Sequence, residues 1–211
     1  VEKSDIIDFE LNTFCMEEPC FVGVNDTMIS SPRIDNQSSC RALLDAIEDG
    51  NRADGINIIA LFDHEEIGSN SKQGAASIML HDMLRRILRN MDLSENEIDE
   101  SIYDAMLLSV DVAHALHPNK KEKMDITKQA CSQSYATDAQ AIAILCQLCD
   151  EKGIPYQRFV NRSDSRGGST LGSIAGTLLP VKTVDIGIPI LAMHSACELM
   201  GVRDMKALSD C

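Results

Sequence analysis

One short stretch limits most strongly what this chain can fold into. An apolar run over residues 55–61 leads directly into the acidic pair Glu65-Glu66, and a helical pattern of apolar side chains follows through residues 79–88. Successive side chains of an extended chain point in opposite directions, so the two carboxylates face different surroundings. One can bind a cation while the other faces the reacting water, which suits hydrolysis by a metal-activated water. A solvated acidic turn explains an isolated pair more simply, so the interpretation depends on further ligand-type residues.

Apolar runs typical of strands alternate with helical patterns along the chain. Strands are expected at 6–14, 21–28, 56–61, 103–110, 156–160 and 183–186, and helices at 38–50, 70–90, 137–153 and around 171–175. This alternation predicts an α/β fold, a three-layer α/β/α sandwich with a mostly parallel central sheet. Ligands of such sheets bind beyond the carboxyl ends of strands. Because Glu65, Glu66 and Asp111 all follow candidate strands, we expect them at one edge of the sheet.

The charge of the chain excludes two classes of partner. Its 19 basic and 33 acidic residues give a net charge of −14. Nucleic acid and anionic membranes require cationic protein surface, so neither is expected as a partner. The sequence also has no apolar stretch of about 20 residues that could span a membrane. An acidic substrate would have to be bound by locally placed cations.

The eight cysteines are scattered and do not form a zinc-finger pattern. Cys146 and Cys149 lie inside a predicted helix without a second pair at suitable spacing, so buried thiols are expected there rather than ligands. Cys15 and Cys20 could pair in an oxidising compartment. Nothing else indicates such a compartment, and a cytoplasmic location is therefore expected.

Four residues at comparable junctions are candidate metal ligands: Asp35, Glu66, Asp111 and His194, with Glu65 as the general base. Mixed carboxylate and imidazole ligands suit zinc, and also manganese or cobalt. One carboxylate can bridge two cations about 3.5–4 Å apart in a two-metal hydrolase site. Each residue also has a simpler structural explanation, as a turn residue, a strand-end cap or a helix N-terminal residue.

Six strings in a fixed order extend over most of the chain. They are Ser31-Pro-Arg-Ile-Asp-Asn36, Phe62-Asp-His-Glu-Glu-Ile-Gly-Ser69, Ser109-Val-Asp-Val-Ala-His-Ala-Leu-His-Pro-Asn119, Ser134-Tyr-Ala-Thr-Asp138, Gly167-Gly-Ser-Thr170 and Met193-His-Ser195. Together they closely resemble the aspartyl aminopeptidase family of dinuclear zinc exopeptidases. The resemblance implies an enzyme that removes the N-terminal residue of peptides, preferably Asp or Glu. It also implies two zinc ions per complete site and a homo-oligomer.

The resemblance also implies a role for each candidate. Asp35 matches the bridging carboxylate, Glu66 and His194 match the other ligands of one zinc, and Asp111 matches a ligand of the second zinc. Glu65 matches the general base that takes a proton from the attacking water and passes it to the leaving amine.

Three further positions match residues that contact substrate in the family: His114, Lys128 and Tyr135. Lys128 and His114 could bind the side-chain carboxylate of an acidic N-terminal residue. A solvated surface lysine is the competing explanation for Lys128, because the same loop already contains Lys120, Lys121 and Lys123.

The sequence departs from the family pattern in two places. An N-terminal histidine motif that supplies a ligand of the second zinc is not found, nor is the inserted lid domain that mediates dimer contacts. Residues 1–211 are therefore expected to form a single catalytic domain without those parts, and to bind at most one zinc tightly. Two alternatives are an aminopeptidase with a broader preference for neutral residues and a non-catalytic assembly subunit.

Overall fold

A computed structural model describes residues 1–50, 52–120, 138–158 and 168–211 of the chain. Its helices are α1 (Ile34–Asp49), α2 (Met79–Asn90), α3 (Glu95–Asp104), α4 (Ala139–Lys152), α5 (Leu171–Leu178) and α6 (Val202–Asp210). Its strands are β1 (Cys20–Val22), β2 (Met28–Ser31), β3 (Met106–Val110), β4 (Ala113–His114), β5 (Lys182–Ile186), β6 (Pro189–Leu191) and β7 (Glu198–Gly201). None of the helices in this part of the chain has the length and apolar content that a membrane span requires.

The strands form two sheets. A five-stranded sheet has the order β1-β2-β7-β6-β4, in which only the β4–β6 pair is parallel. Strands β3 and β5 form a separate parallel pair, with Val110 opposite Ile186. The α/β class is confirmed. A mostly parallel central sheet is not confirmed, because the larger sheet is mixed.

Local capping explains where several helices begin and end. Ser94 accepts a hydrogen bond from the Glu97 main-chain N–H, and Glu97 bonds back to Ser94, so α3 starts with a capping box. The Asp138 side chain caps α4 by accepting a hydrogen bond from the Gln140 main-chain N–H, and Gly153 ends that helix with a left-handed φ of 67°. The helix expected from residue 70 begins only at Met79, because the preceding residues form a series of turns.

Two predicted strands are wrong. Residues 6–14 and 56–61 form no strand. Ile7 is 97 % exposed and Leu61 is 52 % exposed, so the second run is not buried as expected either. A strand needs a neighbour to complete its backbone hydrogen bonds, and neither run has one among the described residues. The strand expected at 156–160 is absent at 156–158, and its last two residues lie outside the described part.

The apolar core has two separate clusters. The first consists of residues that follow β2, β3 and β5 or lie within β6 and β7: Ile34, Val112, Ile188, Ile190 and Met200. The second joins α2 and α3 to the residues after α5 and is centred on Ile98, Ile102 and Leu179. The first cluster therefore supports the segments that bear the candidate ligands.

Gly187, which follows β5, lies directly against Asp111, which follows β3. The Asp111 main-chain N–H donates to the Ile186 carbonyl at 3.0 Å, and the Ala113 N–H donates to the Ile188 carbonyl at 2.8 Å. These bonds bring Gly187 against Asp111, where an added Cβ would overlap the main-chain carbonyl of Asp111. A side chain at this position would have to displace the Asp111 segment.

We expect Gly187→Ala to lower the free energy of unfolding by about 1–3 kcal/mol, the usual cost of forcing extra atoms into a packed site. Chemical denaturation of the metal-free protein measures the change. Gly176→Ala is the matched control, because a Cβ there meets only ordinary contact in the interior of α5. Alanine also favours a helix over glycine, so the control should be neutral or slightly stabilising. Equal stability of the two variants would contradict the close approach.

Candidate metal centre

Three of the candidate ligands lie just beyond strand ends. Asp35 is the second residue of α1, shortly after β2, and Asp111 follows β3 directly. His194 comes three residues after the end of β6. These three residues are far apart in sequence and follow strands of both sheets. The strand expected at 56–61, directly before Glu65 and Glu66, is absent.

The tightest group consists of Asp35, Glu66 and His194, whose possible ligand atoms all lie within 4.8 Å of one another. His194 Nε2 is 3.1 Å from Asp35 Oδ2 and 3.2 Å from Glu66 Oε2. The Asp35 side chain is only 9 % exposed, whereas those of Glu66 and His194 are 57 % and 62 % exposed. The group is therefore buried on one side and open to solvent on the other.

These three residues line a cleft together with the other described candidates. The cleft contains Asp35, Glu65, Glu66, Asp111, His114 and His194. Six of the eight predicted site residues are therefore brought together. Lys128 and Tyr135 lie outside the described residues. The remaining lining is mostly small or apolar, from Gly68, Val112, Gly168, Ser169, Thr170, Ile174 and Met193.

The carboxylates of the cleft oppose one another electrostatically. Burial, together with the charges of Asp111, Glu66 and Glu198, raises the pKa of Asp35 to about 7, against the opposing effect of His194. Burial, together with the charges of Glu65 and Glu66, raises the pKa of Asp111 to about 6. The hydrogen bond that the Val112 N–H donates to Asp111 acts in the opposite direction. Close carboxylates with raised pKa values are a feature of functional sites.

Burial in the cleft also shifts the pKa values of Glu65 and His114. Desolvation raises the pKa of Glu65, and the neighbouring charges of Glu66 and Asp35 add to this. Desolvation lowers the pKa of His114, and His194 lowers it further. Both changes favour the neutral form of each side chain in the metal-free cleft.

Sequence reasoning missed Glu198, the first residue of β7. Its carboxylate is 2 % exposed and accepts hydrogen bonds from the main-chain N–H groups of Asp35 and His194, each at 2.7 Å. The available signal was an acidic residue directly before Leu199 and Met200, since a carboxylate in an apolar run must find partners when it is buried. Strand β7 itself was not predicted, so nothing in the sequence indicated that Glu198 lies near Asp35 and His194.

The donor set fits a divalent cation. Two carboxylates and one imidazole converge at separations that a single ion can span, and such mixed oxygen and nitrogen ligands suit zinc, cobalt or manganese. A cation would also offset the repulsion that raises the pKa of Asp35. The open side of the group leaves room for water or substrate.

Comparison with known proteins agrees with this centre. The family model described as aminopeptidase I zinc metalloprotease (M18) matches residues 1–210. The chain belongs to this family of metallo-aminopeptidases. A probable M18 family aminopeptidase 2 of Clostridium acetobutylicum is 41 % identical over 211 residues, covering 95 % of this chain and 49 % of the relative. The chain thus spans about half the length of the curated relatives it matches.

Solved structures show the same fold. An M18 family aminopeptidase of Thermotoga maritima superposes with a TM-score of 0.81 at 24 % identity, over 92 % of this chain and 47 % of that one. The mature Ape1 dodecamer of Saccharomyces cerevisiae gives a TM-score of 0.74 at 22 % identity, over 93 % and 47 %. At these identities the likeness establishes the fold.

We expect the metal-free protein to lose stability as the pH rises from about 4 to about 7, because Asp35 holds its proton more tightly when folded than when unfolded. The folded state binds more protons than the unfolded state in this range. The stabilisation that protonated Asp35 contributes is therefore lost as the pH rises through the folded pKa. Zinc should reverse the trend, since it binds the ionised carboxylate.

Thermal unfolding across this pH range, with chelator and with zinc, measures both effects. Asp35→Asn removes one titrating group and should reduce the pH dependence of the metal-free protein, leaving the part that Asp111 contributes. Exposed Asp104→Asn, at the end of α3, is the control and should leave it unchanged. An Asp35→Asn variant with the same pH dependence as the unaltered protein would contradict the assignment.

Proposed function

We propose that the protein is a metal-dependent aminopeptidase that removes the N-terminal residue of peptides, with a preference for Asp or Glu. The observation that supports it best is the convergence of Asp35, Glu66 and His194 beside Glu65 in one cleft. Membership of the M18 family supplies the reaction class. The activity of the whole protein remains a proposal, because the chain matches about half of its relatives' length.

In this proposal Asp35, Glu66 and His194 hold one zinc ion. Asp35 would also contribute to a second ion site with Asp111, whose charge helps to raise the pKa of Asp35. This assignment agrees with the roles that the family resemblance implies. Cobalt or manganese would satisfy the same ligands. The number of ions that this chain binds tightly stays a prediction of at most one.

Glu65 serves as the general base. A bound zinc ion supplies a Lewis acid that lowers the pKa of water and polarises the scissile carbonyl. Glu65 takes the proton from the attacking water and later gives it to the leaving amine. Its raised pKa brings the carboxylate closer to the operating pH, where proton transfer in both directions is efficient. Glu65 lines the same cleft as Glu66 and is not assigned as a ligand.

The acidic preference depends on cations that the described cleft does not supply. Among the described lining residues there is no lysine or arginine, and only His114 and His194 can become positively charged. His194 is assigned to the metal. Lys128 is therefore the proposed partner of the substrate's side-chain carboxylate, with His114 and Tyr135 as further contacts. A surface role for Lys128 would leave an enzyme of broader, neutral preference.

The whole protein is also proposed to be a cytoplasmic homo-oligomer. The dodecamer formed by yeast Ape1 supports the oligomer. Apolar side chains at Ile7, Phe9 and Leu11 are exposed, and association would cover them. A truncated, non-catalytic assembly subunit is the remaining alternative, and loss of activity in the presence of bound zinc would favour it.

We expect Glu65→Gln to lower kcat about 100- to 10,000-fold, the contribution of a positioned general base. Zinc affinity should stay near that of the unaltered protein, because Glu65 is not assigned as a ligand. Glu66→Gln should lower both kcat and zinc affinity, because Glu66 is assigned as a ligand. Glu100→Gln, exposed on α3, is the control and should change neither quantity. Peptide hydrolysis and metal titration together give the two measurements. Near-normal turnover of Glu65→Gln would overturn the assignment of the base.

We expect Lys128→Ala to reduce the ratio of kcat/KM for Asp-terminated over Leu-terminated substrates by about 10- to 100-fold. The estimate follows from the roughly 1.5–3 kcal/mol of a hydrogen bond to a charged group. Lys120→Ala tests a lysine of the same loop and should leave the ratio unchanged. An unchanged ratio in Lys128→Ala would favour the broader specificity.

A further inference from the structure

The buried carboxylate of Glu198 connects two of the candidate ligands from behind the cleft. Glu198 starts β7 and pairs with Ser31 at the end of β2, so the antiparallel ladder fixes its main chain. Its side chain does not line the cleft. It is therefore placed to act on the centre without contacting an ion or a substrate.

Both oxygens of Glu198 are used. Oε2 accepts the Asp35 N–H and Oε1 accepts the His194 N–H, both at 2.7 Å. Burying a carboxylate is unfavourable unless its oxygens find donors, and these two bonds supply donors to each oxygen. One side chain thus ties together the two main-chain segments that present the imidazole and carboxylate 3.1 Å apart.

Each segment has an irregular backbone at this point. His194 has φ 65°, in the left-handed region that side chains disfavour, and Arg33, just before Asp35, has φ 58°. Asp35 itself departs from helical geometry, with ψ 108° inside α1. Such conformations persist only where surrounding contacts hold them in place. The bonds to Glu198 are contacts of this kind.

We propose that Glu198 is a positioning residue, which holds Asp35 and His194 at the separation that one metal ion requires. The proposal rests on the proposed function. The carboxylate has two alternative roles. It could stabilise the fold alone, or it could increase metal affinity only through its negative charge. Two substitutions at Glu198 separate these three roles.

Glu198→Gln keeps the size of the side chain but presents one oxygen and one amide group, so one of the two N–H groups loses its acceptor. Glu198→Asp keeps the carboxylate but shortens the side chain by one methylene, so it cannot reach both N–H groups. Positioning requires both bonds, and both variants should therefore be impaired. A charge effect would survive in Glu198→Asp.

The matched control is Asp204→Asn. Asp204 is a half-buried carboxylate in the first turn of α6, beside Gly201 at the opposite end of β7. Asp204→Asn replaces a carboxylate with an amide, as Glu198→Gln does, at a residue that is not bonded to either ligand segment. The zinc affinity of this variant should equal that of the unaltered protein.

Zinc affinity is measured by competition with a chromophoric chelator at fixed pH, and kcat and KM are measured at saturating zinc. We expect Glu198→Gln and Glu198→Asp each to weaken zinc binding about 10- to 100-fold, the usual effect of removing a residue that orients ligands. The kcat should fall, while KM for the peptide should stay within about 3-fold, because Glu198 does not line the cleft.

Three results would overturn the proposal. Near-normal zinc affinity of Glu198→Asp would show that Glu198 acts only through its negative charge. A lower melting temperature of the metal-free variants with unchanged zinc affinity would show that Glu198 only stabilises the fold. If the unaltered protein bound no zinc, the proposed function would fail together with this inference. Should Glu198→Gln not fold, Glu198→Asp measured against Asp204→Asn still decides between positioning and charge.

Discussion

Repulsion among buried carboxylates is the constraint on which the rest of this structure depends. Asp35, Glu65, Glu66 and Asp111 share one cleft, and burial together with neighbouring negative charges raises the pKa of Asp35, Glu65 and Asp111. Such a group is unfavourable in an empty cleft and favourable around a cation. The protein holds it in place with strand ends, main-chain hydrogen bonds and the apolar cluster below. The instability of the metal-free cleft is thus inseparable from its ability to bind a metal.

The part of the site that could be predicted from the sequence is the part set by local chemistry. Asp111 follows an apolar run that ends as a strand. The adjacent pair Glu65-Glu66 indicated hydrolytic chemistry before any geometry was known. These signals and the resemblance predicted eight site residues, six of which line one cleft.

The parts that could not be predicted depend on partners distant in the chain. Residues 6–14 have the alternation of a strand but no neighbour among the described residues, and so form none. Strands β6 and β7 have only three and four residues, too few for an alternation of apolar and polar side chains to be recognised. Their hydrogen bonds to neighbouring strands define them instead. Glu198 was missed for the same reason: its function lies in bonds to residues 35 and 194, which no local window contains.

The division of the apolar core into two clusters has a consequence for how the molecule opens. The ligand segments rest on Ile34, Val112 and Ile188, whereas α2 and α3 rest on Ile98 and Ile102. Cooperative units of a protein follow such contiguous packing, and they exchange amide hydrogens independently. Helices α2 and α3 are therefore expected to exchange their amide hydrogens separately from the ligand-bearing strands.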